Sequence, residues 1–138
     1  MTRWTCRAAR ADERTRILSN VAASHTLLGA DGSVACQRCL VADSFFTRLR
    51  GLLGRRQLPR DEGLLITPGS SIHTWFMRFP IDVVFLDRDL RVVRVAADVG
   101  PWRLRWGKGA RQVLELAAGE AAARGIEVGD RLTLDDGR

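Results

Sequence analysis

The stretch that most constrains this chain is residues 72–86, IHTWFMRFPIDVVFL, an apolar run that carries one arginine, Arg78, and one carboxylate, Asp82. Pro80 cannot donate a sheet hydrogen bond, so the run reads as two extended segments, 72–79 and 81–86. In an extended chain the side chains alternate between faces. His73, Trp75, Met77, Phe79, Ile81, Val83 and Phe85 then share one face, and Phe76, Arg78, Pro80, Asp82, Val84 and Leu86 share the other. The first face is core. The second is also largely apolar, so Asp82 must find a cation, find backbone donors, or take up a proton.

Two readings of Asp82 follow. In one, Arg78 or Arg50 pairs with it internally and fixes the chain after Pro80, because structural ion pairs perturb acids without catalysis. In the other, Arg78, Asp82 and His73 stand at the rim of a pocket lined by Trp75 and Met77. There Arg78 would grip a polar or anionic group in bidentate fashion, with Asp82 orienting it.

The remaining punctuation defines short elements. Residues 1–30 are rich in Arg and Ala and read as a partly helical or disordered extension, and 31–138 as one compact domain beginning at the turn Asp31-Gly32. A strand is expected over Val34–Val41. Asp43-Ser44 then caps a helix through FFTRLRGLLG, in which Phe45, Phe46, Leu49, Leu52 and Leu53 form one stripe. Further strands are expected at GLLIT, at LRVVRVA after the Asp87-Arg88-Asp89 turn, at RQVLELA and at RLTL, with a short helix at GEAAARG. Gly100–Gly109 reads as a loop. Strands outnumber helices and no βαβ alternation occurs. The expected class is α+β, a mostly antiparallel, barrel-like sheet of short strands with two or three short helices.

The net charge of +6 is uneven. Residues 1–60 hold eleven arginines against four acids, whereas 61–138 hold eleven cations against twelve acids. Arg48, Arg50, Arg55, Arg56 and Arg60 fall in an acid-free stretch that could attract nucleic acid or an anionic membrane surface. A solvated helix and loop is the favoured alternative. The segment PWRLRWGKG interleaves Trp102 and Trp106 with Arg103, Arg105 and Lys108, as single-stranded nucleic acid sites do. Without an accompanying nucleic-acid motif, these tryptophans are expected to pack against the domain, with the arginines solvated.

Three cysteines are too few for a disulfide scaffold. Cys36-x-x-Cys39 is the weak metal or redox candidate, but a closed zinc site wants four ligands. In a regular strand, residues three apart face opposite ways, so the sulfurs diverge unless the chain turns between them. Structural thiols and no cofactor are the reading. Glu115, an acid in the apolar stretch VLEL, either faces solvent at a sheet edge or joins the polar site. No nucleophile elbow, phosphate loop or dinucleotide fingerprint is present. No apolar run has the length of a membrane helix, and residues 17–30 are too interrupted for a signal peptide, so a cytoplasmic location is expected.

Five motifs in order carry a resemblance: RLRGLLGR (48–55), EGLLI (62–66), HTWFMRFPIDVVFLD (73–87), VLELAAG (113–119) and GIEVGDRL (125–132). Together they resemble the prokaryotic domain-of-unknown-function family 192 over about residues 34–134. That family's aromatic-Met-Lys-Asn-Thr stretch corresponds to Phe76-Met77-Arg78-Phe79, and its Pro-Leu-Asp to Pro80-Ile81-Asp82. The resemblance implies a compact β-rich domain and no particular reaction. The functional expectation is a non-enzymatic binding or accessory module. Its candidate ligand residues are His73, Trp75, Met77, Arg78, Asp82, Arg50 and Glu115, and its partner a small polar ligand or a protein segment. The alternatives are an enzyme using Asp82 as acid or base, and a binder of nucleic acid or anionic lipid through the arginine patch.

Overall fold

A computed structural model describes residues 24–42 and 57–135. Nine strands and one short helix occur among them: β1 Ser24–Leu28, β2 Val34–Ala42, β3 Glu62–Ile66, β4 Ser71–His73, β5 Ile81–Leu86, β6 Val92–Val99, β7 Leu104–Trp106, β8 Gln112–Ala117, α1 Glu120–Ala123 and β9 Thr133–Asp135. Seven strands form one sheet in the order β6-β5-β8-β3-β2-β1-β9, and β4 with β7 makes a separate ribbon.

This corrects the expected class. The described protein is mostly β, with one short helix rather than two or three, and its sheet is mixed and open rather than barrel-like. β2 and β3 pair in parallel, from Arg38↔Glu62 to Ala42↔Ile66, while the other pairings are antiparallel. β6 and β9 are the sheet's two edges and do not pair with each other; a bridge between Arg91 and Arg131 links the segments that precede them. The expected helix at 44–54 lies outside the described residues, as do residues 1–23 of the expected extension. β1, which precedes the Asp31-Gly32 turn, pairs with both β2 and β9.

β5 and β8 lie inside the sheet and are apolar on both faces, as the sequence of β5 requires. Alternation sends Ile81, Val83, Phe85 and Val113 into one core layer with Leu64, Ile66, Ile72, Met77 and Phe79. Val84, Leu86, Leu114 and Leu116 enter a second layer with Leu65, Ala121, Ile126 and Leu132. The β4–β7 ribbon supplies Ile72 to the first layer, and α1 supplies Ala121 to the second. Arg124 pins the helix end by donating to the carbonyls of Val34 and Arg60 and by pairing with Glu120 at 3.2 Å.

β5 and β6 form the hairpin expected around Asp87, whose carboxylate accepts the N–H groups of Asp89 and Arg91. Residues 74–79, however, are not extended. After His73 the chain turns, with Phe76 at φ 66°. Met77 and Phe79 still reach the core, but His73 and Trp75 do not. The expected 100–109 loop contains β7, which completes the ribbon.

Candidate functional site

The ribbon positions the exposed aromatic residues. β4 and β7 pair Ser71↔Trp106, Ile72↔Arg105 and His73↔Leu104. Ile72 points inward, so His73, Leu104 and Trp106 share the outer face. Trp75 packs on His73 with ring centroids 4.9 Å apart and planes tilted by 31°.

Beyond the ribbon, two turns carry Phe76 and Trp102 on backbone with φ of 66° and 62°. Their rings meet edge to face, 4.9 Å apart. A positive φ is unfavourable for bulky residues, so the surrounding bonds must impose it. Thr74 provides them. Its fully buried hydroxyl donates to the Gly100 carbonyl at 2.6 Å and accepts the Arg103 N–H at 2.8 Å. Its backbone pairs with Arg103 and accepts the N–H groups of Trp102 and Met77. One threonine thus joins the two turns.

The resulting surface is apolar and cationic. Trp75 is 47% exposed, Phe76 69%, Trp102 59%, Leu104 50% and Trp106 61%. The expectation that Trp102 and Trp106 pack against the domain is therefore overturned, because the ribbon turns the outer face of β7 to solvent. Residues 63–81 and 99–114 contain no acid but hold Arg78, Arg103, Arg105, Lys108 and Arg111. Arg105 donates to the carbonyl of its neighbour Leu104. Glu62 and Asp82 bound the first segment and Asp98 and Glu115 the second, and of these Glu62, Asp82 and Glu115 are buried.

Asp82 lies elsewhere. It is 1% exposed, on the helix side of β5, and forms no ion pair with Arg78, which is exposed. Three backbone groups donate to its carboxylate: Asp98 at 2.9 Å, Gly119 at 3.0 Å and Ala121 at 2.9 Å. The Asp98 donor comes from a bulge in β6, where Ile81↔Val99 and Val83↔Ala96 leave an extra residue. Of the three ways to accommodate a buried acid, the chain uses backbone donors.

Glu115 is 6% exposed in the interior strand β8, between Leu64 of β3 and Val83 of β5. It is at neither a sheet edge nor the aromatic face. Burial pushes its carboxyl up to about 7, and no hydrogen-bond partner stands beside it among the described residues. Arg50 lies outside the described residues, as do Arg48, Arg55 and Arg56. Arg60 is exposed and approaches Glu120 at 3.7 Å.

Cys36 and Cys39 do converge. Between them β2 carries one residue more than β1, since His25 pairs with Cys39 and Leu27 with Cys36. This bulge turns both thiols into the second core layer. A hydrogen bond between the sulfurs holds Cys36 below the usual thiol range and pushes Cys39 above it. Among the described residues no three His, Cys, Asp or Glu side chains cluster as metal ligands.

Of the residues singled out from sequence, His73, Trp75 and Arg78 fall in the exposed turn and ribbon region, and Met77, Asp82 and Glu115 are buried. Sequence reasoning missed Thr74, whose partners are 26 and 29 positions away, and the strand character of β7. The alternation of Leu104, Arg105 and Trp106 is the signal that would have found the latter.

Fold and surface together define a small open-sheet β domain with a ribbon-borne aromatic and cationic face. The chain belongs to the family DUF192, described as "Uncharacterized ACR", whose model matches residues 27–134. The UPF0127 protein PH1112 of Pyrococcus horikoshii is 38% identical over 98 residues, 67% of this chain and 83% of that protein. A UPF0127 protein of Thermococcus sibiricus is 34% identical over 110 residues, 73% of this chain and 68% of that protein. Among solved structures, the fold is similar to a protein of unknown function from Novosphingobium aromaticivorans, with a TM-score of 0.66 and 28% identity, covering 80% of this chain and 83% of that one. It is also similar to a presumed transcription regulator of Sinorhizobium meliloti, with a TM-score of 0.72 and 25% identity, covering 83% of this chain and 95% of that one. Among the described residues no helix is long and apolar enough to cross a membrane.

Proposed function

We propose that this chain is a binding module that docks through its ribbon face. Trp75, Phe76, Trp102, Leu104 and Trp106 are the contact residues, and the exposed cations Arg78, Arg103 and Lys108 select an anionic ligand. The observation that carries this reading is the exposure of four aromatic rings on neighbouring turns and strands of a domain that buries Phe85 completely. Contiguous apolar surface of this kind marks an interaction site far more often than scattered single residues do. The bonds through Thr74 support the same reading, since they hold Phe76 and Trp102 outward on unfavourable backbone.

The binding centre thereby moves from a cleft around Arg78 and Asp82 to the surface beside Arg78. Asp82 has a fold-holding task in this reading, because three backbone donors surround its carboxylate. That saturation gives an enzyme using Asp82 as acid or base less support.

Three of the four tryptophans are on this face, which makes emission a direct reporter. The test is titration with heparin, an oligothymidylate, and vesicles of phosphatidylglycerol, each against wild type and Phe76→Asn/Trp102→Asn. Asparagine tolerates the left-handed backbone at both positions. At least one probe is expected to shift wild-type emission and to lose affinity for the double variant. No shift with any probe, or a shift that the variant retains, overturns the proposal.

A further inference from the structure

We infer that the partner of this face is the surface of an anionic lipid bilayer, into which the Phe76–Trp102 turns and the outer edge of β7 insert. The inference rests on the ribbon face being the docking surface and names what it docks to. Four features favour a bilayer over other anionic partners.

The first is ring geometry. A single-stranded nucleic acid needs open ring faces on which successive bases stack. Here His73 packs over Trp75, and Phe76 and Trp102 are locked edge to face at 60°. Only Trp106 of the five rings lacks a ring neighbour among the described residues. Rings closed against one another stack bases poorly, yet they lose nothing when the whole cluster leaves water for an interface.

The second is Leu104. This half-exposed aliphatic side chain sits across from His73 on the outer face of the ribbon. It offers a base no stacking surface, but it gains as much as an aromatic of its size from entering the acyl boundary.

The third is the arrangement of charge. Arg78, Arg103, Arg105 and Lys108 lie in the same acid-free segments as the aromatics. Anionic headgroups attract basic groups beside an inserted apolar tip, and tryptophan favours that boundary because its ring is apolar and its N–H is polar. A second copy of this chain is a poor occupant. Isologous pairing would set these cations against their own equivalents without acids from the same segments to answer them.

The fourth is rigidity. The Thr74 bonds fix both turns in the outward conformation, and Arg94 of β6 donates to the Trp106 carbonyl, tying the ribbon to the main sheet. A tip that is already ordered loses little conformational entropy on insertion.

The test is flotation of the full chain with equimolar phosphatidylglycerol and phosphatidylcholine vesicles, compared with pure phosphatidylcholine. It is repeated with acyl chains carrying bromine, which quench tryptophan only on contact. Wild type is expected to float with the anionic vesicles, to bind neutral ones about ten-fold or more weakly, and to be quenched by the brominated chains. Phe76→Asn/Trp102→Asn is expected to lose about ten-fold or more of the anionic-vesicle affinity with an unchanged melting temperature. Arg103→Glu/Lys108→Glu, which alters two exposed cations, is expected to lose the preference for anionic lipid.

Binding that brominated chains do not quench overturns the inference, because charge alone would then hold the chain at the surface. Failure to float, with oligothymidylate binding that Phe76→Asn/Trp102→Asn loses, also overturns it, but leaves the docking face intact with nucleic acid as its partner. Failure with vesicles and with every soluble probe overturns both this inference and the docking reading beneath it.

Discussion

The carboxylate of Asp82 accepts the backbone N–H of Ala121 at 2.9 Å across 39 positions of sequence. The same oxygen accepts Gly119 N–H, and the other accepts Asp98 N–H from the β6 bulge. α1 has no side-chain cap of its own, since Gly119 stands at its N-cap. One acid in β5 therefore satisfies the helix start and the edge-strand bulge together. Buried N–H groups need such partners wherever regular pairing is broken.

Replacing Asp82 with Asn preserves volume but leaves one acceptor oxygen for three donors and turns an NH2 toward N–H groups. Hydrogen bonds to a charged acceptor are worth about 1.5–3 kcal/mol each, and a buried donor left unmatched adds its own penalty. Asp82→Asn is expected to lower stability by about 3 kcal/mol or more, read as the urea midpoint. Vesicle binding per folded molecule should be unchanged. A variant that unfolds like wild type yet binds poorly would return Asp82 to the ligand site.

Thr74→Val keeps the shape of the buried side chain and removes its hydroxyl. The Arg103 N–H loses its side-chain acceptor, and Gly100 loses a donor. A stability loss of about 1–3 kcal/mol is expected. Its location matters more than its size. Amide exchange should accelerate at Trp102 and Arg103 before it does in β5 or β8, and anionic-vesicle affinity should fall with it. Uniform acceleration throughout the sheet would show that Thr74 supports the whole fold rather than the two turns.

Periodicity made much of this fold legible. β5 and β8 were readable from apolar runs bounded by turns, and the β5–β6 hairpin from Asp87-Arg88-Asp89. What alternation does not encode is pairing direction, so the parallel β2–β3 register, and with it the open mixed sheet, was not readable. Bulges escape for a related reason. The extra residue in β2 that brings Cys36 and Cys39 together reverses their expected facing, and no local pattern announces it. At Asp82 the sequence defined the need for compensation and listed the possible sources. The donors actually used are 16, 37 and 39 positions away, set by tertiary packing alone. At Trp102 and Trp106 the packing preference of large rings pointed inward, and the ribbon overrode it.

Gly107 follows the ribbon directly above a core aromatic. A Cβ at this position would stand 2.7 Å from Cβ and Cγ of Phe85, which is completely buried. Neither side has room to move, since Phe85 lies in a strand paired on both edges. Gly107→Ala is expected to cost about 1–3 kcal/mol through overpacking and to displace β7 relative to the main sheet. The check is the thermal midpoint together with tryptophan emission, which should shift because Trp106 precedes the glycine. An unchanged midpoint with native emission would mean that the loop relaxes freely and that the close approach is not required.

Glu115 gives the fold a specific pH dependence. Burial raises its carboxyl from an ordinary 4.5 to about 7 in the folded protein. Below pH 4.5 the group is protonated whether the chain is folded or not, and it imposes no ionic penalty. Between about 4.5 and 7 the folded form keeps a proton that the unfolded form has released, so stability falls as pH rises. The loss totals about 3 kcal/mol from the difference in proton affinity and is complete above about pH 7. Glu115→Gln remains neutral throughout and should escape this loss. Urea unfolding of both proteins at pH 5 and pH 8 cancels the other titrating groups, and because part of the loss has already occurred by pH 5, the variant's advantage should grow by about 2.5 kcal/mol at the higher pH. An advantage that is equal at both values would mean that Glu115 ionises in the fold without penalty, and that a compensating partner meets its carboxylate.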